Sequence, residues 1–426
     1  MPGHFARPDR MSCIPTFGMV LPNLTIDTIL DPAHPDRLQL HSWNGRKVAT
    51  VPAFSHMGHT YTPASIATGL AQAIRFPRTS KPFGSAQKLT SSMRNFLTHY
   101  AHVLPNAAAL LVAFALASWF TDCIPVTPVL YLLGPENETR LVLRLLGCLC
   151  RRSVLLGDIN VPAIATLPKG LNPTFLIGER NLPGPVRRVL LASSSRYFRI
   201  VRGNGQFDNY GAKAFSVDRD PVNKTGMRIS LSPALDQPPP LSDAEEEDAA
   251  HDFHAKLLRY HMLNYTRVCS AQVDTYNFAP AMRDEVRAWL APICDCPDLL
   301  QSVRGSLLHQ SQQLEDDRFS NNLCLAAEAA LFFCHKAETD HFLVGDLAQK
   351  VTDLLKGRHE DRVVTAKKAG LLLRELGIRG KRITAGYRIP LTDALRQQIH
   401  GIARDYQVLS VQDGVARCRH CHGKAR

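Results

Sequence analysis

Apolar positions recur along this chain with three different periods, and each period marks a region. In the first eighty residues the alternation is that of strands. Leu38, Leu40 and Ser42 lead to Trp43, and Asn44-Gly45 offers the φ > 0 pair of a two-residue hairpin before Val48 and Val51. From about Gly84 the period becomes helical, with Leu89, Met93, Phe96, Leu97 and Tyr100 on one face. A dense apolar run over 107–120 follows, between Pro105 and Asp122. It is shorter than the roughly 20 residues that cross a bilayer, so the expectation is a buried core helix capped by Asn106 and no membrane span.

Short apolar runs at 129–133, 154–156, 174–177, 198–201, 212–217 and 227–231 read as strands, with helices at 141–150 and 186–192 between some of them. Continuous apolar strands alternating with helices imply a buried, mainly parallel sheet. Asp236-Gln237-Pro238-Pro239-Pro240 is a stiff linker that cannot enter a sheet interior. Ser242 and Glu245 then have capping-box spacing, opening a helix that carries Phe253, Leu257 and Tyr260 at helical intervals. Further helices are expected near 281–290, 299–314, 323–335 and 344–355.

The C-terminal pattern is helix, turn, helix and hairpin. A helix over 344–355 is followed by one over 365–376, stopped by Gly377, and two short strands are expected around Gly386. That is the order of a winged helix. The fold class expected is therefore an α/β core with a mainly parallel sheet and helices, a β-rich N-terminal region, an α-helical middle and a C-terminal winged helix. The boundaries read are 1–80, 81–235, 236–336, 337–410 and a Cys/His tail at 411–426.

Charge changes the picture. The chain carries 50 Lys+Arg against 38 Asp+Glu. Residues 1–241 hold +12, residues 242–356 hold −9 and the last seventy hold +9, so an anionic partner, DNA first, is expected at the C-terminal end. Lys367, Lys368 and Arg374 face outward on the second helix, and Arg379, Lys381, Arg382 and Arg388 belong to the wing; all seven are the DNA-binding candidates. Eleven cysteines without a paired framework, and an N-terminus without a signal-peptide core, lead to a cytoplasmic expectation. Cys418, Cys421 and His422 could supply zinc ligands, short of the four a structural site needs.

The segment Gly134-Pro135-Glu136-Asn137-Glu138-Thr139-Arg140 follows a strand and precedes a helix, the context of a phosphate-binding loop. Such a loop needs small residues to turn N–H groups toward the phosphates, a lysine, and a hydroxyl on magnesium. Here Arg140 stands at the lysine position and Leu141 at the hydroxyl. Glu136 and Glu138 would add two carboxylates beside a triphosphate. Some forty residues on, the strand at 174–177 ends in Gly178-Glu179-Arg180, with glycine where a magnesium aspartate would be.

With these motifs, and with Leu149-Cys150-Arg151-Arg152, Leu155-Leu156-Gly157-Asp158-Ile159 and Gly211-Ala212-Lys213-Ala214, the chain from about Trp119 onward resembles bacterial and phage P-loop proteins of the helicase and primase-associated kind, often carried by mobile elements. The resemblance implies that the α/β core is P-loop-like, with a nucleotide site at Gly134, Pro135 and Arg140, Mg-ATP as the cofactor, and a link to DNA. The departures from the motif imply degenerate Walker A and Walker B motifs. An alternative is a divergent ATPase in which Arg140 replaces lysine and Glu179 orients water. Another is a protein-binding adaptor that uses its acidic stretch at 243–252.

Overall fold

The structure is a computed structural model. It describes residues 12–34, 37–198, 200–202, 205–207, 210–218, 226–233, 239–319, 322–336, 339–358, 360–384, 386–406 and 408. The chain forms two compact units, Met1–Ser311 and Gln312–Arg426.

In the first unit, Gly18–Leu21, Leu24–Leu30, Leu38–Trp43 and Val48–Val51 form an antiparallel sheet in chain order. The last two are the expected hairpin, but its turn lies one residue later than expected. Asn44 N–H donates to the Lys47 carbonyl, and only Gly45, not Asn44, takes a positive φ (85°). The Asn44 side-chain oxygen instead accepts from the backbone of Arg46 and Lys47, which holds Asn44 outside the turn centre. A second small sheet contains Ser12–Thr16, His59–Pro63 and Phe54–His56.

The expected core helix is Pro105–Trp119, with every residue from Ala108 to Trp119 buried. Its N-cap is Leu104 and not Asn106, because Pro105, lacking an N–H, occupies the first helical position. Among the described residues no helix is long and apolar enough to cross a membrane.

Five parallel strands form the central sheet: β1 (Val129–Leu133), β2 (Ser153–Leu156), β3 (Thr174–Ile177), β4 (Lys213–Val217) and β5 (Met227–Ser230). Their spatial order is β5-β1-β4-β3-β2, with Ile74–Arg75 as an antiparallel edge beyond β2. One face presents Tyr131, Phe175, Ile177, Phe215 and Val217 to Ile164, Val186, Val189 and Leu190 of two helices, α2 (Val161–Ala165) and α3 (Gly184–Ala192). On the other face α1 (Glu136–Gly147) packs against β2, β3 and β4. Cover on both faces is why these strands are apolar without alternation.

The run at 198–201 does not join this sheet. Ile200–Arg202 pairs only with Gly205–Phe207 as a separate hairpin, and Phe198 and Val201 are exposed.

A buried ionic cluster ties the four-stranded antiparallel sheet to the core. Asp27, on Leu24–Leu30, receives Arg151 at 2.7 Å on one carboxylate oxygen and Arg152 at 2.5 Å on the other. Arg151 also reaches Asp122 at 3.0 Å, which in turn meets His261 at 3.2 Å. Burial pushes the Asp27 carboxyl up, but Arg151, Arg152 and His261 outweigh it and hold it below its ordinary value. His261 belongs to α4 (Asp243–Ser270), whose capping box of Ser242 and Glu245 is present as expected.

The second unit begins its small sheet at His341–Leu343, followed by α5 (Val344–Gly357), α6 (Ala366–Glu375), β6 (Lys381–Ile383) and β7 (Gly386–Pro390). The Thr365 hydroxyl caps α6 by accepting from Lys368 N–H. The sheet order is His341–Leu343, then β7, then β6, all antiparallel. Leu347, Val351 and Leu355 of α5 and Ala369, Leu372 and Leu373 of α6 share one core with Ile389.

Candidate functional site

Ligands of open α/β sheets bind beyond the carboxyl ends of the strands, where the strand order reverses. In the first unit that crevice lies after β1, β3 and β4. The connection after β1 is only Gly134-Pro135, since α1 starts at Glu136, well before the expected 141. Glu136 and Glu138 explain the early start: both carboxylates lie in the first turn, where the helix dipole favours them. The same two charges stand where a phosphate would need the helix end.

Gly134 has φ 143°, and a Cβ there would lie 2.4 Å from the Leu231 carbonyl oxygen. The glycine is thus required by close packing of β1 against the residue after β5. Its own carbonyl points into the crevice, where Arg180 Nη2 donates to it at 2.7 Å.

Arg180 fills the crevice. Its Nε donates to Ser216 Oγ at 3.0 Å, Nη2 also reaches Thr139 Oγ1 at 3.1 Å, and Nη1 pairs with Asp218. The Thr139 and Ser216 hydroxyls lie 2.8 Å apart, so one cation links α1, β1, β3 and β4. Arg140 lies elsewhere. It is about 61% exposed and pairs with Glu136 at 2.5 Å on its own helix. Glu179 accepts the Asn181 N–H at 2.6 Å, which turns the chain after β3. Pro135 is the N-cap of α1 and offers no side-chain cap.

These residues do not fit a magnesium triphosphate: a carbonyl and a guanidinium already satisfy each other in the crevice, and the helix end carries two acids. Arg180 is not among the site residues expected from the sequence. Its signal was a cation just beyond one apolar strand, with Ser216 and Asp218 at the end of another.

Part of the acidic stretch of α4 is paired inside the chain. Glu246 is buried against Arg75 and Arg144, Glu247 meets Arg78 at 3.2 Å, and Asp252 meets Lys81 at 3.5 Å and Lys256 at 2.5 Å. Only Glu246 is withdrawn from the surface; Asp243, Glu245, Glu247 and Asp248 stay exposed.

The second unit gathers the other candidates. Lys367, Lys368 and Arg374 are exposed on α6, Arg379 follows it, and Lys381 and Arg382 are exposed on β6. None of these six forms an ion pair among the described residues. Arg388 on β7 is half-buried and reaches Asp340 at 3.4 Å and His341 at 3.1 Å.

Cys418, Cys421 and His422 lie outside the described residues. Among the described residues no group of three or more His, Cys, Asp or Glu side chains could hold a metal ion.

No protein-family model matches the chain, and no curated protein matches it. Among solved structures it is similar to the apo A form of the NrS-1 C-terminal region, at 10% identity and TM-score 0.38 over 86% of this chain and 97% of that one. A full-length MCM homolog from Methanopyrus kandleri gives 10% identity and TM-score 0.31 over 82% and 76%. Drosophila ORC bound to DNA gives 13% and TM-score 0.20 over 78% and 95%. At TM-scores below 0.5 these likenesses decide no function.

Proposed function

We propose that this chain is a DNA-binding protein of the helicase- and primase-associated, mobile-element kind its sequence resembles, and that its P-loop-like core acts as a scaffold without hydrolysing ATP. The observation that carries the DNA reading is the set of six exposed cations on α6, its C-terminal end and β6, none in an ion pair among the described residues. Strand, two helices and a hairpin form a winged-helix arrangement in which α6 is the helix offered to a groove and β6 with β7 is the wing. Its apolar side is fixed in the core, so the opposite side can present Lys367, Lys368 and Arg374 to phosphates.

Anisotropy of a labelled DNA duplex with the full chain, without nucleotide and over a range of salt, tests the reading. Binding that weakens steeply with salt is expected. Absence of salt-sensitive binding overturns it.

The Arg180 network supports the scaffold reading, because Arg180 takes the Gly134 carbonyl and the Thr139 hydroxyl. Titration with labelled ATP and magnesium is expected to show no binding. Turnover that disappears in Glu179→Gln would instead favour the divergent ATPase.

A further inference from the structure

The cations of the second unit do not stand on a flat surface. Between α6 and the wing lies a groove of about 690 Å³. Leu373, Ile378 and Ile389, all buried in the unit's core, form part of its floor, and Lys367, Arg374 and Arg379 stand on its walls. Two apolar side chains are left open at it: Leu371, 46% exposed, and Tyr387, 44% exposed. On α6, Lys367, Leu371 and Arg374 form one stripe, with Leu371 about 6 Å and about 4.5 Å along the axis from the two cations.

Duplex backbone needs cations but has no use for an apolar floor, because only phosphates and sugars face outward. An unpaired strand needs both, since each nucleotide joins an anion to a flat apolar face that stacks on aromatic side chains. The only side-chain hydrogen-bonding groups of the groove are three cations and the Tyr387 phenol. That set suits phosphate and base without sequence readout. An acidic peptide fits less well, because the edge strand β6, which could pair with a peptide backbone, does not line the groove.

We infer that this groove holds an unpaired nucleotide of a DNA strand, with the base against Tyr387 and Leu371 and the phosphates on Lys367, Arg374 and Arg379, so that the unit prefers a duplex that ends in a single strand. The inference rests on the DNA-binding reading above.

The test uses the full chain and three labelled probes: a blunt duplex, the same duplex with an oligothymidine tail, and that duplex with an abasic tail. The thymidine tail is expected to raise affinity about tenfold over the blunt end, and the abasic tail much less. Tyr387→Ala and Leu371→Gln should abolish the advantage while leaving blunt-duplex affinity and thermal unfolding unchanged, and Tyr387→Phe should keep it. Arg374→Ala should weaken all three probes.

Equal affinity for blunt and tailed duplexes, both salt-sensitive, overturns this inference and leaves the DNA reading standing. Lack of binding to every probe overturns the DNA reading itself. A glutamate-rich, leucine-containing peptide that binds wild type but not Tyr387→Ala, with no tail preference, overturns the inference in favour of a protein occupant.

Discussion

Arg180 Nη2 lies 2.7 Å from the carbonyl oxygen of Gly134, joining the end of β3 to the end of β1. The contact makes the crevice at the strand ends part of the fold's internal hydrogen bonding. Arg180→Ala would leave the Gly134 carbonyl, the Thr139 and Ser216 hydroxyls and Asp218 without this donor. A loss of about 1–3 kcal/mol is expected, as for partly buried groups deprived of a charged partner. Arg140→Ala, which breaks only an exposed pair within a helix, should stay within about 0.5 kcal/mol. Urea denaturation of both variants measures the contrast, and equal losses would contradict it.

Asp27 holds two buried guanidinium groups at once. Asp27→Asn keeps the volume but removes the carboxylate that faces Arg152 and leaves Arg151 with Asp122 alone, for an expected loss of roughly 3–5 kcal/mol. Asp27 is held below its ordinary carboxyl value of 3.8, so its contribution is fully present above that pH and is lost as pH falls through the lower folded value. Acid unfolding of wild type should therefore have a component below pH 4 that is absent from Asp27→Asn.

Lys213 is fully buried at the start of β4. Its Nζ donates to the carbonyl oxygens of Gly211 at 2.6 Å and Ser193 at 3.1 Å, with no ion pair among the described residues. Burial pulls its pKa down to about 7 from 10.5. The unfolded chain binds more protons between these values, so this group makes stability rise with pH from about 7 toward 10.5. Glu285 acts in the opposite sense: burial pushes it up to about 7 from 4.5, so its contribution falls as pH rises through that interval. His254, which burial pulls down to about 3 from 6.5, opposes Glu285 below pH 6.5. Chemical denaturation from pH 5 to 9 should therefore be compared variant by variant: Lys213→Met should lose the rise in stability above pH 7, and Glu285→Gln should gain on wild type as pH rises toward 7.

The C-terminal cations should not be equivalent. Removing Lys367, Arg374 or Arg379 is expected to lower the dependence of log affinity on log salt by about 1 each. Arg388→Ala should change it less, because Arg388 is already engaged with Asp340 and His341. Duplex titrations at four salt concentrations, compared variant by variant, give the slopes.

Much of the secondary structure was legible because burial writes a period into the chain. The strand Thr174–Ile177 and the capping box before α4 appear where local pattern places them. The apolar pattern starts α1 only at 141, whereas Glu136 and Glu138 favour a helix N-terminus five residues earlier. The apolar residues near 200 read as a core strand, because hydrophobicity alone cannot distinguish a sheet member from an exposed hairpin. At the crevice, Gly134 was singled out on its motif context, whereas the steric need lies in the contact with Leu231, 97 positions along the chain.

Strand and helix periods, the Ser242 cap and the dense positive charge of the last seventy residues can be read along the chain, because each depends on neighbours within a few turns. Only the tertiary structure decided the strand order β5-β1-β4-β3-β2, the burial of Arg151 and Arg152 on Asp27, and the seating of Arg180 between Gly134, Thr139 and Ser216. The physical reason is separation. A charge on one strand end chooses its partner by distance in space, and Asp27 stands 124 and 125 positions from its two arginines, beyond the reach of any local pattern.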